Sequence, residues 1–335
     1  MPEKPRKIRL AIIGCGIIAS ERHLPALQRL TDRFTVTALC NRTEPKAKAM
    51  AERLGLGNDS IRQDWRKVIE QDTVDAVLIC LPIELNYQVS RAAAAAGKHV
   101  LCEKPIGQSN EEAQAALSLG DNHDVKYMVG ENYHFVPSFA KAAHLVGRGA
   151  IGKTTVMIWN VMRFMGINDK YNKTPWRPDH AYPGGYVLDG GVHYTHVLQM
   201  MAGRISSVSA RTRSIEPGLG KPDTAFALLT HENGVLTSLN LSWRAKDPMD
   251  HRLRICGTEG TILVDDKSLT LMDLEGKEEE VPLIQEDSIY LELIEFHRAV
   301  ALGETPEISL ESTAHDVEVI LAVLESAEKE STVKL

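Results

Sequence analysis

The chain has 335 residues, 43% of them hydrophobic and 25% charged, with 24 glycines and 15 prolines. That is enough chain for two domains, or one large one, with a core in each. A net charge of −7 lacks the basic footprint that nucleic-acid phosphates need, and no apolar run reaches the length of a membrane span.

The start, Met1-Pro2-Glu3-Lys4-Pro5-Arg6-Lys7, is charged and leads straight into an apolar run, which predicts no secretory leader. Strand and helix signals then alternate: strands at 8–13, 34–40, 75–81, 99–102 and 127–131, amphipathic helices at 18–30, 45–54, 86–96 and 110–119. Alternation at this pace predicts βαβ units and a parallel sheet. Five cysteines, Cys15, Cys40, Cys80, Cys102 and Cys256, end or follow apolar runs with no metal-ligand spacing. They read as small buried hydrophobes of a reduced, cytoplasmic protein.

The first turn reads Gly14-Cys15-Gly16-Ile17-Ile18-Ala19, a G-x-G-x-x-A between a strand and a helix. Gly14 permits a tight turn, Gly16 lets a pyrophosphate approach the backbone, and Ala19 allows close packing of helix on strand. The helix start supplies free N–H donors and a positive dipole end. In that position the motif predicts dinucleotide binding. The second strand ends in Cys40-Asn41-Arg42-Thr43, without the carboxylate that would bind the ribose hydroxyls of NAD. Asn41 carries no charge to repel a 2′-phosphate and Arg42 can pair with one, so NADP(H) is the expected cofactor, with NAD(H) also possible. Further on, Ala96-Gly97-Lys98-His99-Val100-Leu101-Cys102-Glu103-Lys104-Pro105 reads as a helix end, a glycine stop, a short buried strand and a lysine beside a proline. A lysine at the carboxyl end of such a strand lies where ligands bind, and the proline restricts the backbone that aims it.

With the glycine turn, the run Asp75-Ala76-Val77-Leu78-Ile79-Cys80-Leu81-Pro82 and the 96–105 block, the chain resembles the Gfo/Idh/MocA oxidoreductases. The resemblance runs through nearly the whole sequence. It implies an α/β protein: a Rossmann domain at 1–135, and at 136–335 an α+β domain with a large open, mostly antiparallel sheet that often mediates dimers or tetramers. The C-terminal helices are allowed to pack back on the first domain.

After Gly152 the pattern turns to strands at 154–161, 206–213, 224–229, 235–243, 252–256 and 261–264, with turns such as Glu232-Asn233-Gly234. Such spacing predicts antiparallel hairpins. One helix interrupts them, opening Gly184-Gly185-Tyr186-Val187-Leu188-Asp189-Gly190-Gly191-Val192-His193. Asp189 and His193 are four apart and share a helix face; a carboxylate there can orient the imidazole. By itself such a pair is more often a cap and a satisfied polar residue. The segment resembles the family's G-G-x-L-x-D-x-G-x-H element, which implies a catalytic set of Lys104, Asp189 and His193.

The resemblance implies further contacts. Nucleotide contacts are expected from Gly14, Gly16, Ile17, Ile18, Asn41, Arg42, Leu81, Pro82, Asn86, Glu103 and Lys104, and from Trp176 and Arg177 of the second domain. Substrate contacts are expected from Lys104, His134, Tyr171, Asp189, His193 and His196. Asn86, His134 and His196 stand where the family commonly has a histidine, an arginine and an aspartate. The exchange at 134 and 196 suits an anionic substrate less well. A shared metal on Asp189, His193 and His196 is disfavoured, because hydride chemistry needs none. Two helices at 289–301 and 310–330 read as packing elements. The implied activity is hydride transfer between nicotinamide and a secondary alcohol or ketone of a sugar, cyclitol or related small molecule. An NAD-using hydrolase or epimerase, and a non-catalytic nucleotide sensor, are the rival readings.

Overall fold

A computed structural model describes residues 6–174, 176–178, 180–216, 221–247 and 251–335. The chain divides into two compact units: residues up to Glu131 together with Ile289–Ala314, and Asn132–Ser288 together with His315–Leu335.

In the first unit, strands β1 (Ile8–Ile13), β2 (Phe34–Cys40), β3 (Ile61–Arg62), β4 (Ala76–Ile79), β5 (His99–Glu103) and β6 (Tyr127–Gly130) form one sheet in the order β3-β2-β1-β4-β5-β6. All its pairings are parallel. The apolar runs of β1, β4 and β5 are buried on both faces, as sheets covered on both sides require. The chain starts in the middle, moves outward through β2 and β3, and returns beside β1 as β4. That reversal is the topological switch point at which doubly wound sheets bind ligands.

A π-helical turn, Ala19–His23, runs into α1 (Leu24–Arg29), so the helix expected at 18–30 is locally widened by one turn. The remaining helices are α2 (Glu44–Leu54), α3 (Arg66–Ile69), α4 (Ile83–Ala95), α5 (Asn110–Ala116) and α6 (Leu119–His123). Helix α2 shows the usual asymmetry of proline at its start and glycine past its end, with Gly55 left-handed at φ 68.

In the second unit, α7 (Pro137–Gly147) and α8 (Gly185–Ala202) accompany a nine-stranded sheet. Its strands are β7 (Thr154–Met162), β8 (Ile205–Arg213), β9 (Thr224–His231), β10 (Leu236–Ser242), β11 (Leu253–Gly257), β12 (Thr261–Val264), β13 (Leu269–Met272), β14 (Glu278–Glu280) and β15 (Val333–Lys334), in the order β14-β13-β12-β11-β7-β10-β9-β8-β15. Among the described residues of this sheet only β7 and β10 pair in parallel; the other pairings are antiparallel. Helix α9 (Ser288–Leu302) belongs almost wholly to the first unit, and the division falls inside α10 (Leu310–Lys329).

One sheet face buries Met157, Trp159, Val161, Ala225, Ala227, Leu229, Leu239 and Leu241. The opposite face leaves Val156, Ile158, Phe226, Leu228 and Leu236 exposed. This is the two-sided alternation of an antiparallel sheet. The parallel Rossmann sheet and the mostly antiparallel second sheet agree with the expected fold class, while β3, β13, β14 and β15 were not expected.

Candidate active site

Gly14 follows β1 with φ 101, and a Cβ there would stand 2.2 Å from the Cys80 carbonyl oxygen at the end of β4. Only glycine fits both that dihedral and that approach. A Cβ on Gly16 would meet nothing within 4 Å. The first glycine is thus required by the protein itself, whereas the second opens a space beside the helix start. This arrangement fits a pyrophosphate, with Ile17 and Ile18 half-buried at the opening of the helix.

Asn41 is committed to the loop. Its Oδ1 accepts the Cys15 N–H at 3.0 Å, and its Nδ2 donates to the Thr43 carbonyl at 2.8 Å and hydroxyl at 2.7 Å. It ties the glycine turn to the end of β2. Beside it Arg42 is exposed, and Leu81 and Pro82 are half-buried after β4.

Lys104 comes directly after β5 and is joined to Pro105 by a cis peptide bond. Two devices brace this turn. From α4, the fully buried Asn86 donates from Nδ2 to the carbonyls of Glu103 and Pro105, both at 2.9 Å. Asn86, expected at the nucleotide, has its side chain 0% exposed, gripping the backbone on either side of Lys104. From the π turn, the buried His23 imidazole meets the Glu103 carboxylate at 2.7 Å. The Glu103 side chain, also expected at the nucleotide, is buried in this pair.

Sequence reasoning missed His23. A single histidine five residues beyond Ile18 carries no signal of its own, and the π turn that places it is invisible in the hydrophobic period. Ligand atoms of His23, Cys80 and Glu103 lie within 4.8 Å of one another. They suit a cation poorly, since burial pushes the Cys80 thiol well up and a metal needs the thiolate. All five cysteines are free. A cavity of about 390 Å³ in this unit, lined by Arg6, Arg9, Asp75, Lys98 and His99, contains none of the expected site residues.

In the second unit α8 begins with Gly184 and Gly185 at φ 81 and 51. It carries Asp189, His193 and His196 at one-turn spacings. The Asp189 carboxylate accepts from Arg177 Nε at 2.8 Å, with both side chains largely buried. Burial opposes the Arg177 charge, but Asp189 outweighs it and the net direction is upward, so the guanidinium stays charged. Arg177 also lies 4.0 Å from the Trp176 ring centre and 5.0 Å from that of Tyr171. Arg177, expected at the nucleotide, thus pairs with the helix that holds Asp189.

The His193 ring is stacked on Tyr133, at 4.3 Å between centres and 17° between planes. Tyr133 lies in the 3-10 turn Asn132–Phe135. The next residue, His134, places Nδ1 2.9 Å from His196 Nε2, and His196 Nδ1 lies 2.8 Å from Asp316 Oδ2. His196 is 1% exposed. Expected at the substrate, it bridges Asp316 and His134 here. Tyr133 and Asp316 had no signal in the sequence, the latter because it lies 120 residues from its partner. Trp243 is core: a Cβ on Gly190 would come within 2.5 Å of its ring.

A doubly wound sheet with a glycine cradle at its switch point, joined to a second unit whose helix carries an Asp–His pair, defines a dinucleotide-binding oxidoreductase. The comparisons make the assignment closer. Residues 8–131 match the family model described as an oxidoreductase family with an NAD-binding Rossmann fold, and residues 139–263 match the GFO/IDH/MocA C-terminal domain. The chain belongs to the Gfo/Idh/MocA oxidoreductase family. The solved structure of an oxidoreductase from Thermotoga maritima is 35% identical, with 98% of each chain covered and a TM-score of 0.92. A myo-inositol 2-dehydrogenase from Thermotoga maritima is 28% identical with 98% of each chain covered. An NADP(+)-dependent D-xylose 1-dehydrogenase from Haloferax volcanii is 28% identical, covering 97% of this chain and 98% of the other. This protein is accordingly an enzyme of an oxidoreductase family with an NAD-binding Rossmann fold.

Proposed function

We propose that the protein moves a hydride between NADP(H) and a secondary alcohol or ketone of a sugar, cyclitol or related neutral polyol. The observation that carries this reading is the bracing of Lys104, whose two neighbouring carbonyls are both held by Asn86. A cation so fixed at a strand end is suited to stabilising charge that develops on a substrate oxygen. The named activities of the myo-inositol and D-xylose dehydrogenases support the substrate class.

Gly14, Gly16, Ile17 and Ile18 would hold the pyrophosphate and Arg42 the 2′-phosphate. The nicotinamide, when bound, supplies the acceptor or donor of the hydride. In oxidation His193 removes the hydroxyl proton as Lys104 stabilises the alkoxide; in reduction His193 returns the proton. Tyr133 fixes the plane of the His193 ring. The Asp189 carboxylate orients the imidazole, with Arg177 setting the carboxylate in turn. A reduced, cytoplasmic location fits five free cysteines. Among the described residues no helix is long and apolar enough to cross a membrane.

The exposed Val156, Ile158, Phe226, Leu228 and Leu236 lie on adjacent strands, and this face is the one we assign to a dimer or tetramer contact.

The direct test is a panel of sugars, cyclitols and their ketones with each cofactor, following the absorbance of reduced nicotinamide. Turnover with net formation or loss of reduced cofactor is expected. Conversion with constant total cofactor would instead favour a hydrolase or epimerase. Replacement of Arg42 by Ala is expected to weaken NADP(H) about tenfold or more while sparing NAD(H). Equal losses would remove the NADP(H) preference.

A further inference from the structure

Arg163 is the first residue past β7, and the proton-transfer scheme above does not use it. Its backbone N–H donates to the Ser242 carbonyl at 2.8 Å, one step beyond the last β7–β10 partners, Met162 and Ser242. The sheet therefore fixes its Cα. The residue as a whole is exposed, yet its guanidinium hydrogen-bonds the phenols of both Tyr133 and Tyr194. Tyr194 raises its pKa most, the surrounding protein atoms oppose the charge, and the net direction is upward. The donor between the two phenols is thus a charged one.

Those phenols belong to different elements. Tyr133 lies in the 3-10 turn and is half-buried. Tyr194 lies on α8 next to His193, is 4% exposed, and meets Trp159 edge-on with ring centres 5.0 Å apart at 89°. Tyr194 is the fixed anchor, and Tyr133 is the ring that needs holding. The two tyrosine rings stand at 89° with centres 5.9 Å apart. A guanidinium is planar, with N–H groups spread over several directions, which suits two acceptors presented at right angles. A stacked ring pair contributes less than hydrogen bonds from a charged donor do. The contact of Tyr133 with His193, at 4.3 Å and 17°, therefore leaves the plane of Tyr133 to be set by what holds its hydroxyl.

We propose that Arg163 is a positioning residue that clamps the turn of Tyr133 to α8 through the two phenols, and so holds the His193 ring at the angle that proton transfer requires. The clamp rests on contacts within the second unit alone; its consequence for turnover also rests on the dehydrogenase reading. Without the guanidinium, Tyr133 turns about its own side-chain bonds and the imidazole loses the wall it lies against. Fewer encounters then find His193 in line with the reacting hydroxyl.

The test is carbon–proton NMR of the full chain labelled at histidine, with the His193 ring signal identified by its loss in His193→Gln. The ring current of Tyr133 displaces that signal, and Tyr133→Leu gives its undisplaced position. Arg163→Met is expected to move the signal toward the Tyr133→Leu position. Tyr194→Phe, which deletes one oxygen and keeps the packed ring, is expected to move it in the same direction. An unmoved signal in Arg163→Met overturns the clamp, and an unmoved signal in Tyr194→Phe does so if Arg163→Met fails to fold. Arg163→Lys keeps the charge as a single point that cannot bridge both phenols, so it too is expected to move the signal; a native position there overturns the bridge. In the dehydrogenase assay kcat is expected to fall about tenfold in Arg163→Met, with KM within about twofold of native. A raised KM at native kcat gives the guanidinium a substrate contact and overturns the positioning role. Signals that move as stated, in a protein inactive on every polyol, leave the clamp standing and refute the dehydrogenase reading together with the role in turnover.

Discussion

Lys104 gains its standing from its neighbours. A lysine side chain is a flexible point charge, and its usefulness depends on where its Cα is held. Asn86 supplies both of its amide hydrogens to that end, at 2.9 Å each, while its Oδ1 is buried with no hydrogen-bond partner. A buried acceptor left unsatisfied is a cost, accepted here for two donors at the right place. Asn86→Leu keeps the approximate volume and deletes both donors. We expect kcat to fall about a hundredfold, as a misplacement near 1 Å does, with nucleotide affinity little changed. Unaltered kcat in a folded Asn86→Leu protein would show that Lys104 needs no such support. Lys104 itself was evident in the sequence, because a lysine after a short apolar strand is a local pattern. The parts that Asn86 and His23 play were not evident, because both act through backbone or side-chain groups 17 and 80 residues away.

Among the elements, α8 was the most legible and β13 to β15 the least. The helix announces itself through paired glycines, a Leu and the Asp–His spacing. The edge strands are short, and β14 is Glu278–Glu280 with all three residues exposed. A charged edge strand of that kind discourages pairing with other chains and carries no alternation to read. The expected helix at 18–30 was located correctly, yet its π turn turns His23 toward Glu103, and hydrophobic period alone does not predict that widening. Helix α8 also depends on a glycine for packing. Gly190 lies against Trp243, and a Cβ there would be 2.5 Å from the ring. Gly190→Val is therefore expected to lower stability by about 1–3 kcal/mol, seen as an earlier urea midpoint. A midpoint equal to the native protein's would show that Trp243 moves aside freely.

For the whole molecule, the two-sided pattern of the second sheet has a consequence beyond folding. Phe226 and Leu228 are 49% and 65% exposed on β9, and Leu236, at 55%, continues the apolar patch on the neighbouring β10. Asp at both 226 and 228 is expected to shift light-scattering mass toward the monomer without unfolding the chain. An unchanged mass would place the oligomer contact elsewhere, or show none. The fold class was readable from alternation, which changes character after Gly152. The placement of α9 with the Rossmann unit and the split inside α10 were not readable, because amphipathic stripes show that a helix packs but not on what.

The central claim is that Lys104 and His193 carry the chemistry while the glycine cradle carries the nucleotide. It is tested most directly by measuring turnover and nucleotide affinity together in Lys104→Ala and His193→Ala, on whichever polyol the panel identifies. The account predicts kcat losses of about 100- to 1,000-fold for Lys104→Ala and about 100- to 10,000-fold for His193→Ala, with NADP(H) affinity within about threefold of native for both, a difference of less than 1 kcal/mol. Near-native kcat in either variant would contradict it.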